Sequence, residues 1–240
     1  MKPLGKKAYG HIPHLPGSGI GPGDHWCTSA QARIATVQTR DYHDLIIVQE
    51  KLDGSNVACL KCDGKILPLT RAGNNAWSSP YEQHQLFARW VLENADRFMA
   101  VLHEGERVCG EWLAQAHGTR YLLPHEPFVA FDLMAGTERL LVDVFTNRMR
   151  LGRFVTPREL HRGGSLSVEQ AKRLLEPSGH GALDPVEGVV WRCEREGRVE
   201  FIVKWVRPDK VDGLYLPQIS GRPPVWNWRP VAKKTKQAPS

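Results

Sequence analysis

The 240-residue chain has no apolar run that approaches the ~20 residues a transmembrane helix requires. Its first residues carry positive charge, but no apolar segment follows them, so we expect no secretory signal. Cysteine is also scarce. The five thiols are an odd number spread along the chain, which excludes a disulfide scaffold. These absences predict a cytoplasmic protein with reduced cysteines and no membrane partner.

Acidic residues are outnumbered by basic ones. The chain has 32 Lys and Arg against 26 Asp and Glu, which gives a formal net charge of +6. A basic surplus suits a polyanionic partner such as a nucleic acid or a nucleotide. Part of the surplus lies in the two ends of the chain, where solvated tails explain it equally well.

Composition divides the chain into three parts. Residues 1–40 are rich in Gly, Pro and His and do not favour regular structure, so they form either a binding loop over the body or a flexible arm. Residues 41–215 form the predicted domain. Residues 216–240 form a basic tail whose last ten residues we expect to be disordered. In this tail, Trp226 and Trp228 form either a stacking surface for bases or a contact with the body.

Strands and helices are predicted without regular βαβ alternation, which indicates an α+β fold with largely antiparallel sheets. Apolar runs predict strands, including a hairpin over 56–69 that turns at Asp63-Gly64 and two last strands that flank a polar turn at Glu196-Gly197. The predicted strands are 45–48, 56–69, 107–113, 128–133, 140–144, 188–193 and 199–206. The predicted helices are 83–102, whose apolar stripe we expect in the core, 156–161, and 167–176 with a capping box.

The most informative segment is EKLDGSN, residues 50–56. A lysine directly after an apolar strand is unusual, because burying an ammonium group is costly. Desolvation and nearby cations lower the pKa of a lysine, and the neutral amine is then a nucleophile. Gly54 permits a close backbone approach that a side chain would block. The segment predicts a nucleophilic Lys51, with an exposed lysine on a surface hairpin as the alternative.

The Lys-x-Asp-Gly sequence resembles the nucleotidyl-transfer motif of covalent nucleotidyltransferases, and five further elements follow in the order of that superfamily. They are Thr70–Gly73, Cys109–Trp112, Phe128–Leu133, Glu187–Val190 and Phe201–Arg207. The set resembles the ATP-dependent RNA ligase family, and the sequences of its elements are similar to those of the small bacterial members of the RNA ligase 2-like group. The resemblance implies a nucleotidyltransferase (ATP-grasp-like ligase) domain of two antiparallel β-sheets with flanking helices, with the nucleotide between the sheets.

The resemblance also implies roles for individual residues. Lys51 would attack the α-phosphate of ATP, and Lys204 would bind that phosphate. Glu187 would hold Mg²⁺ or Mn²⁺, which suits an ion that prefers few protein oxygens and several waters. Glu111 would accept hydrogen bonds from the ribose hydroxyls, and the ring of Phe131 would stack on the adenine.

Three further positions carry less specific assignments from the same resemblance. Arg71 would bind either the terminal 5′-phosphate of the strand or a phosphate of the nucleotide. Glu50 or its backbone would read the adenine amino group. Asn56 is typical of ATP-dependent ligases, whereas capping guanylyltransferases more often carry arginine there.

The fifth element departs from the pattern of many ligases, which have Lys-x-Lys. Val206 stands at the second lysine position, and Arg207 follows it. Along a strand, residues 204 and 206 share a face whereas 207 faces the opposite side. Arg207 therefore replaces the missing lysine only if the strand ends or bulges there.

The activity implied is a three-step joining of RNA ends. Lys51 is adenylylated by ATP, AMP passes to a 5′-phosphate end, and a 3′-hydroxyl then attacks to seal the strand. The partners would be a nicked duplex or broken RNA, and a repair protein that supplies end healing.

Three alternatives are a ligase of DNA or mixed nicks, a capping guanylyltransferase, and a non-catalytic module that binds nucleotides or RNA ends. Only residues 208–240 follow the fifth element, too few for the OB-fold domain of a conventional DNA ligase.

Other groups of potential ligands favour ordinary structural roles. Cys59 and Cys62 have zinc spacing, but no second pair follows, so we do not predict zinc. We interpret Asp24–Cys27 as chance polar residues of a loop, and His117 as a loop histidine with a structural hydrogen bond.

Overall fold

The computed structural model describes residues 2–230, which form two antiparallel β-sheets with flanking helices. The strands are β1 (Asp44–Lys51), β2 (Ser55–Cys62), β3 (Lys65–Thr70), β4 (Glu106–Trp112), β5 (Phe128–Ala135), β6 (Glu138–Arg139), β7 (Glu159–Gly163), β8 (Gly188–Arg195) and β9 (Arg198–Val206). The helices are α1 (Ser29–Thr36), α2 (Glu82–Glu93), α3 (Ala95–Val101), α4 (Val142–Leu151), α5 (Val168–Arg173) and α6 (Pro217–Ser220), with a 3₁₀ turn at Ala76–Ser78. Among the described residues, no helix has the length and apolarity of a membrane span.

The four-stranded sheet, sheet I, has the order β7-β1-β8-β9, and the five-stranded sheet, sheet II, has the order β3-β2-β4-β5-β6. The chain passes from sheet I to sheet II through Leu52-Asp53-Gly54. A Cβ on Gly54 would lie 2.5 Å from the carbonyl oxygen of Trp112, so glycine permits this close crossing. The α+β architecture predicted from the sequence is confirmed.

Both predicted hairpins are present. Asp63 and Gly64 have φ of 51° and 68°, and Glu196 and Gly197 have φ of 49° and 80°. Two consecutive residues at positive φ are what a two-residue type I′ turn requires. These turns fix the register of the β2–β3 pair and start the β8–β9 pair.

The helix predicted over 83–102 is divided at Asn94 into α2 and α3. Its apolar stripe is in the core as expected, since Phe87, Trp90 and Phe98 pack around Phe128. Helix α5 is also confirmed, with the capping box at Ser167.

For two segments the predicted kind of secondary structure is wrong. The run 140–144 belongs to the start of α4, where Val142, Phe145 and Met149 form one buried helical face. A short apolar run does not by itself separate a strand from a helix. The segment 156–161, predicted as a helix, contributes to β7, which pairs with the edge of β1. Tertiary pairing overrides the weak local preference there.

The Gly/Pro/His-rich N-terminal segment lies against the body. Leu15 donates its N–H to the carbonyl of Lys204 at 2.8 Å, and Lys204 donates to the carbonyl of Pro13 at 3.0 Å. The segment thereby covers the outer edge of β9, which would otherwise expose unpaired backbone groups. The division of the chain at residues 40 and 215 stays a prediction.

The C-terminal segment also packs on the body as far as the structure describes it. Asn227 donates its N–H to the carbonyl of Ala114 at 2.8 Å, and the ring of Trp228 lies 5.8 Å from that of Trp112. Trp226 and Trp228 are partly buried against the main core, so packing is the alternative that the structure supports. The predicted disorder of the last ten residues concerns 231–240, which lie outside the described residues.

Candidate active site

A cavity of about 590 Å³ lies between the two sheets, and every predicted site residue lines it. These residues are Glu50, Lys51, Asn56, Arg71, Glu111, Phe131, Glu187 and Lys204. Strand register explains their convergence. Lys51 pairs with Gly188, next to Glu187, and Val190 pairs with Lys204. Sheet II faces them with the directly paired Asn56 and Glu111.

Lys51 is held at the end of β1 by a buried carboxylate. Its ammonium group donates to the side chain of Glu187 and, at 3.3 Å, to the carbonyl of Leu52. Burial alone would raise the pKa of Glu187, but the charges of Lys51 and Lys210 outweigh it and hold the pKa below the usual value. The candidate nucleophile is therefore in contact with an ionised acid inside the cavity.

Gly188 permits the tight pairing beside this acid. A Cβ on Gly188 would lie 2.0 Å from the carbonyl oxygen of Trp205, so a larger residue would push β8 away from β9. The Glu-Gly pair of the fourth element thus combines a charged group with the close strand contact that places it.

The sheet II side of the cavity carries a second acid, which is half-buried. Glu111 accepts a hydrogen bond from the backbone N–H of Gly54 at 3.0 Å. Burial raises the pKa of Glu111 to about 7, although the charge of Lys51 acts in the opposite direction. The neighbouring Asn56 has a buried side-chain oxygen without a hydrogen-bond partner among the described residues. This pair offers acceptor oxygens to donors of a bound ligand.

An aromatic wall lines another part of the cavity. Phe131 is partly exposed there, and the ring of Tyr9 meets it edge-on with centroids 5.1 Å apart. Tyr9 comes from the N-terminal segment, and its hydroxyl donates to Asp132 at 3.0 Å. Phe131 therefore presents a supported apolar surface to a flat ligand.

Two cations complete the predicted set. The ammonium group of Lys204 lies 3.7 Å from a carboxylate oxygen of Asp24, and burial together with the neighbouring Lys51 lowers its pKa. The guanidinium of Arg71 donates to the carbonyl of Gly10 at 3.3 Å. Both positive groups line the cavity, which suits an anionic ligand.

Arg207 takes no part in the cavity wall. Its guanidinium pairs with Asp209 at 2.8 Å, outside the set of residues that line the cavity. β9 ends at Val206, so strand alternation no longer determines the direction of the Arg207 side chain, and its ion pair with Asp209 holds the guanidinium instead. Arg207 does not replace the second lysine of the fifth element.

Among the residues that line the cavity but were not assigned to it from the sequence are Tyr9, Asp24 and Lys210. Asp24, which the sequence favours as a polar residue of a loop, lies 3.1 Å from His14 and 3.7 Å from Lys204. No periodic pattern marks these positions, because irregular segments contribute all three. For Lys210, the available signal was the valine at position 206 together with a lysine shortly after β9.

Lys210 contacts three carboxylates. Its ammonium group donates to the side chain of Glu187, and lies 3.2 Å from Asp53 and 2.9 Å from Asp212. Burial would lower its pKa, but the charges of Glu187 and Asp53 outweigh burial and raise the pKa above the usual value. Lys210 is thus a charged group at the centre of the acidic part of the cavity.

Glu50 has a structural function in addition to lining the cavity. Its carboxylate accepts hydrogen bonds from the hydroxyl of Ser178 at 2.6 Å and from the N–H of Gly179 at 2.9 Å. These contacts hold the loop before β8 against β1. Its assignment to the adenine amino group stays a prediction.

The same loop contains a histidine with a low pKa. His180 accepts a hydrogen bond from the N–H of Arg158 at 3.3 Å, and its other ring nitrogen lies 2.8 Å from His125. Burial, followed by the charges of His125 and Arg158, lowers its pKa to about 4. Protonation would place a new N–H against the N–H of Arg158, so the folded state favours the neutral ring.

This histidine predicts acid destabilisation. Between its unfolded pKa of about 6.5 and the folded value of about 4, the unfolded chain binds the extra proton, so stability falls as pH falls. Between about pH 7.5 and about pH 5, we expect the free energy of unfolding of the wild-type protein to fall by about 2 kcal/mol more than that of His180→Gln. Urea unfolding of both proteins at both pH values measures this difference, and equal losses would contradict the prediction.

The remaining histidine and cysteine assignments agree with structural roles. His117 has its Nε2 3.0 Å from the side-chain oxygen of Gln83, as expected for a loop histidine, although it also lines the cavity. Cys59 is buried in the core whereas Cys62 lies at the end of the hairpin. Within residues 2–230, the one group with metal-ligand geometry is Cys62, Asp63 and Glu104, which lies outside the cavity.

Comparisons with known proteins agree with this geometry. A sequence model of the RNA ligase family matches residues 44–206. An archaeal ATP-dependent RNA ligase structure has a TM-score of 0.52 and 19% identity, and the match covers 82% of this chain and 48% of that one. A mutant RNA ligase of Naegleria gruberi, without ligand, has a TM-score of 0.52 and 13% identity, covering 90% of this chain and 60% of that one. The search of curated proteins finds no match.

The chain spans 48% and 60% of the lengths of these two solved structures, and the likeness to them is one of fold. The family match spans well over half of the chain. It begins at the first residue of β1, ends at the last residue of β9, and contains every predicted site residue. Since sequence, fold and cavity agree over the same segment, the chain belongs to the RNA ligase family.

Proposed function

We propose that this protein is an ATP-dependent RNA ligase that joins a 3′-hydroxyl to a 5′-phosphate through a lysyl-AMP intermediate on Lys51. The observation that carries the proposal is the placement of Lys51. Its amine lies inside the cavity, in contact with the buried Glu187 and among further cations. Membership of the RNA ligase family supports RNA as the substrate.

The first step follows from the groups around Lys51. The ammonium group of Lys51 first releases a proton to solvent. The free amine then attacks the α-phosphorus of ATP, a P–N bond forms, the P–O bond to pyrophosphate breaks, and the nitrogen releases a second proton to solvent. Negative charge builds on the phosphate oxygens, and the neighbouring Lys204 stabilises it. Arg71 lies at the side of the N-terminal segment, where it binds either a phosphate of the nucleotide or the 5′-phosphate of the RNA.

The nucleoside part of ATP fits the remaining walls. Phe131 offers a ring surface to the adenine, and Glu111 offers carboxylate oxygens to the ribose hydroxyls. The unpartnered oxygen of Asn56 is a further acceptor for a ligand donor. These positions explain why one cavity suits a purine nucleotide rather than a bare polyphosphate.

A divalent cation also fits the donor set, because the cavity contains carboxylate oxygens, which are the ligands that Mg²⁺ and Mn²⁺ prefer. Glu187 is the residue that would hold it, with Asp53 and Glu111 nearby in the same cavity. When bound, the ion would neutralise charge on the phosphates and the departing pyrophosphate.

In the later steps AMP passes from Lys51 to a 5′-phosphate end, and a 3′-hydroxyl displaces AMP as the strand closes. The reaction needs ends of this chemistry, so we propose cytoplasmic RNA repair on nicked or broken RNA, with a separate end-healing protein as partner. The net charge of +6 supports binding to such a polyanion.

The test begins with protein pretreated with pyrophosphate, which removes any AMP already attached. Intact mass is then measured after incubation with ATP or GTP and Mg²⁺ or Mn²⁺. We expect one AMP per protein with ATP and no adduct with GTP, followed by sealing of a nicked RNA duplex. A GMP adduct would favour a guanylyltransferase, and faster sealing of DNA nicks would favour a DNA ligase. No adduct would favour a binding module.

A further inference from the structure

Strand β9 supplies one lysine to the cavity where the ligase pattern predicts two. Lys204 lines the cavity, and the next side chain on the same strand face is Val206, which has no charge. Arg207 is paired with Asp209 outside the cavity wall. The strand itself therefore leaves the acidic side of the cavity without its second phosphate-binding cation.

Lys210 brings a cation to this place from the loop after β9. Its side chain is 7% exposed, and its ammonium group contacts Glu187 and lies 3.2 Å from Asp53. Lys51 contacts the other oxygen of the same Glu187 carboxylate, so the ammonium groups of Lys51 and Lys210 are neighbours.

This proximity determines what Lys210 can reach. A nucleophile must come within about 3–3.5 Å of the atom it attacks. When Lys51 approaches the α-phosphorus at that distance, oxygens of the same phosphate group lie beside Lys210. A lysine ammonium has three donors on a flexible stem, which suits the binding of such oxygens.

We propose that Lys210 is the second phosphate-binding cation of the active site, in place of a lysine at position 206. In the free protein it neutralises Glu187 and Asp53. With ATP bound, it donates to phosphate oxygens as the Lys51 P–N bond forms and the P–O bond to pyrophosphate breaks. Lys210 keeps its proton throughout. It and the other cations stabilise the negative charge of the departing pyrophosphate, and Lys210 transfers no proton to it. The proposal rests on the ligase function proposed above.

The principal test compares Lys210→Met with the matched control Arg207→Met, which removes a cation from the same loop. We measure the rate of lysyl-AMP formation at saturating ATP and Mg²⁺. Removing an electrostatic contact to the transition state lowers rates by about 100-fold or more, and we expect this loss for Lys210→Met. Arg207→Met should react like the wild-type protein. A wild-type rate for Lys210→Met would overturn the proposal.

Two further variants separate phosphate binding from a purely structural ion pair. Lys210→Met leaves Glu187 and Asp53 with fewer partners, so its melting temperature is measured beside its activity. Adding Val206→Lys to Lys210→Met restores a cation on the face of Lys204, and we expect it to recover at least about 10-fold of the lost rate. Lys210→Arg keeps the charge and should retain more activity than Lys210→Met. Loss of activity in Lys210→Met without any such recovery would contradict the proposal.

Binding of the unreactive analogue α,β-methylene-ATP distinguishes this proposal from the ligase proposal. A charge-assisted hydrogen bond contributes about 1.5–3 kcal/mol, so we expect Lys210→Met to weaken binding by about 10-fold or more. Arg207→Met should bind as the wild-type protein does. Equal affinities for Lys210→Met and wild type would overturn the role of Lys210 whether or not the protein forms lysyl-AMP. Absence of lysyl-AMP from the wild-type protein would contradict the ligase function alone.

Discussion

Replacement of Lys51 by alanine is expected to abolish lysyl-AMP formation. The reaction requires an amine at the α-phosphorus, and holding it there supplies about 7–11 kcal/mol of the barrier reduction through positioning. Lys204 and Lys210 also line the cavity, but Asp24 holds the first, and Glu187 and Asp53 hold the second. Neither ammonium occupies the position of Lys51, so an adduct should be undetectable by intact mass.

The matched control for this variant is Lys51→Arg. A guanidinium keeps the positive charge beside Glu187, but it is not a useful nucleophile because it stays protonated. We therefore expect Lys51→Arg to form no adduct either, which separates nucleophilicity from charge. In both variants Lys210 still neutralises Glu187, so the fold should persist. An AMP adduct on Lys51→Ala at wild-type stoichiometry would show that another residue is the nucleophile.

A second measurement tests whether these variants are inactive for the proposed reason. RNA that already carries AMP on its 5′-phosphate bypasses the attack by Lys51. Sealing of this substrate needs the remaining cavity residues, including Glu187 and Lys204, and both are unchanged in the variants. We expect sealing to persist in Lys51→Ala although lysyl-AMP formation is lost. Loss of both reactions in a folded protein would indicate that Lys51 contributes more than a nucleophile.

The sequence predicts the site well where the site residues lie on paired strands. Lys51 beside Gly188, Asn56 beside Glu111 and Val190 beside Lys204 are direct register partners. Their order along the chain is therefore enough to bring the motif residues together once the sheets form. The two hairpins were equally predictable, since Asp-Gly and Glu-Gly turns occur between apolar strands.

The residues that the sequence did not reveal come from irregular segments. Tyr9 and Asp24 lie in the Gly/Pro/His-rich segment, and Lys210 lies in the loop after β9. No hydrophobic period places such residues, because hydrogen bonds to another part of the chain determine their path. The N–H of Leu15, which donates to Lys204, is one such contact. The same reason accounts for β7, whose strand conformation depends on pairing with β1.

Replacement of Asp132 by alanine is expected to destabilise the protein by about 3–5 kcal/mol, the usual cost of leaving a buried charge without its partner. Asp132 on β5 is fully buried and accepts hydrogen bonds from Arg192 on β8 at 2.9 Å and from Arg139 at 2.8 Å. It also accepts the hydroxyl of Tyr9. One carboxylate thus joins the two sheets and the N-terminal segment behind the cavity.

Urea unfolding at neutral pH measures this cost. The control is Arg198→Ala, which removes an exposed ion pair with Glu200, and exposed pairs contribute about 0–1 kcal/mol. Asp132→Asn should be intermediate, because it keeps the shape and one acceptor oxygen but removes the charge. If Asp132→Ala lowers the free energy of unfolding by less than about 1 kcal/mol, water replaces the carboxylate as the hydrogen-bond partner of the two arginines.

The position of Asp132 also connects this stability to the proposed activity. It is adjacent to Phe131, and Tyr9, which packs edge-on against Phe131, is held by the Asp132 carboxylate. In Asp132→Ala this aromatic wall loses its anchor, so we expect weaker binding of ATP even at temperatures where the variant remains folded. Tyr9→Phe removes only the hydroxyl contact and leaves both arginine pairs intact. We expect Tyr9→Phe also to weaken ATP binding, with little loss of stability. Unchanged ATP binding in both variants would mean that Asp132 only holds the sheets together.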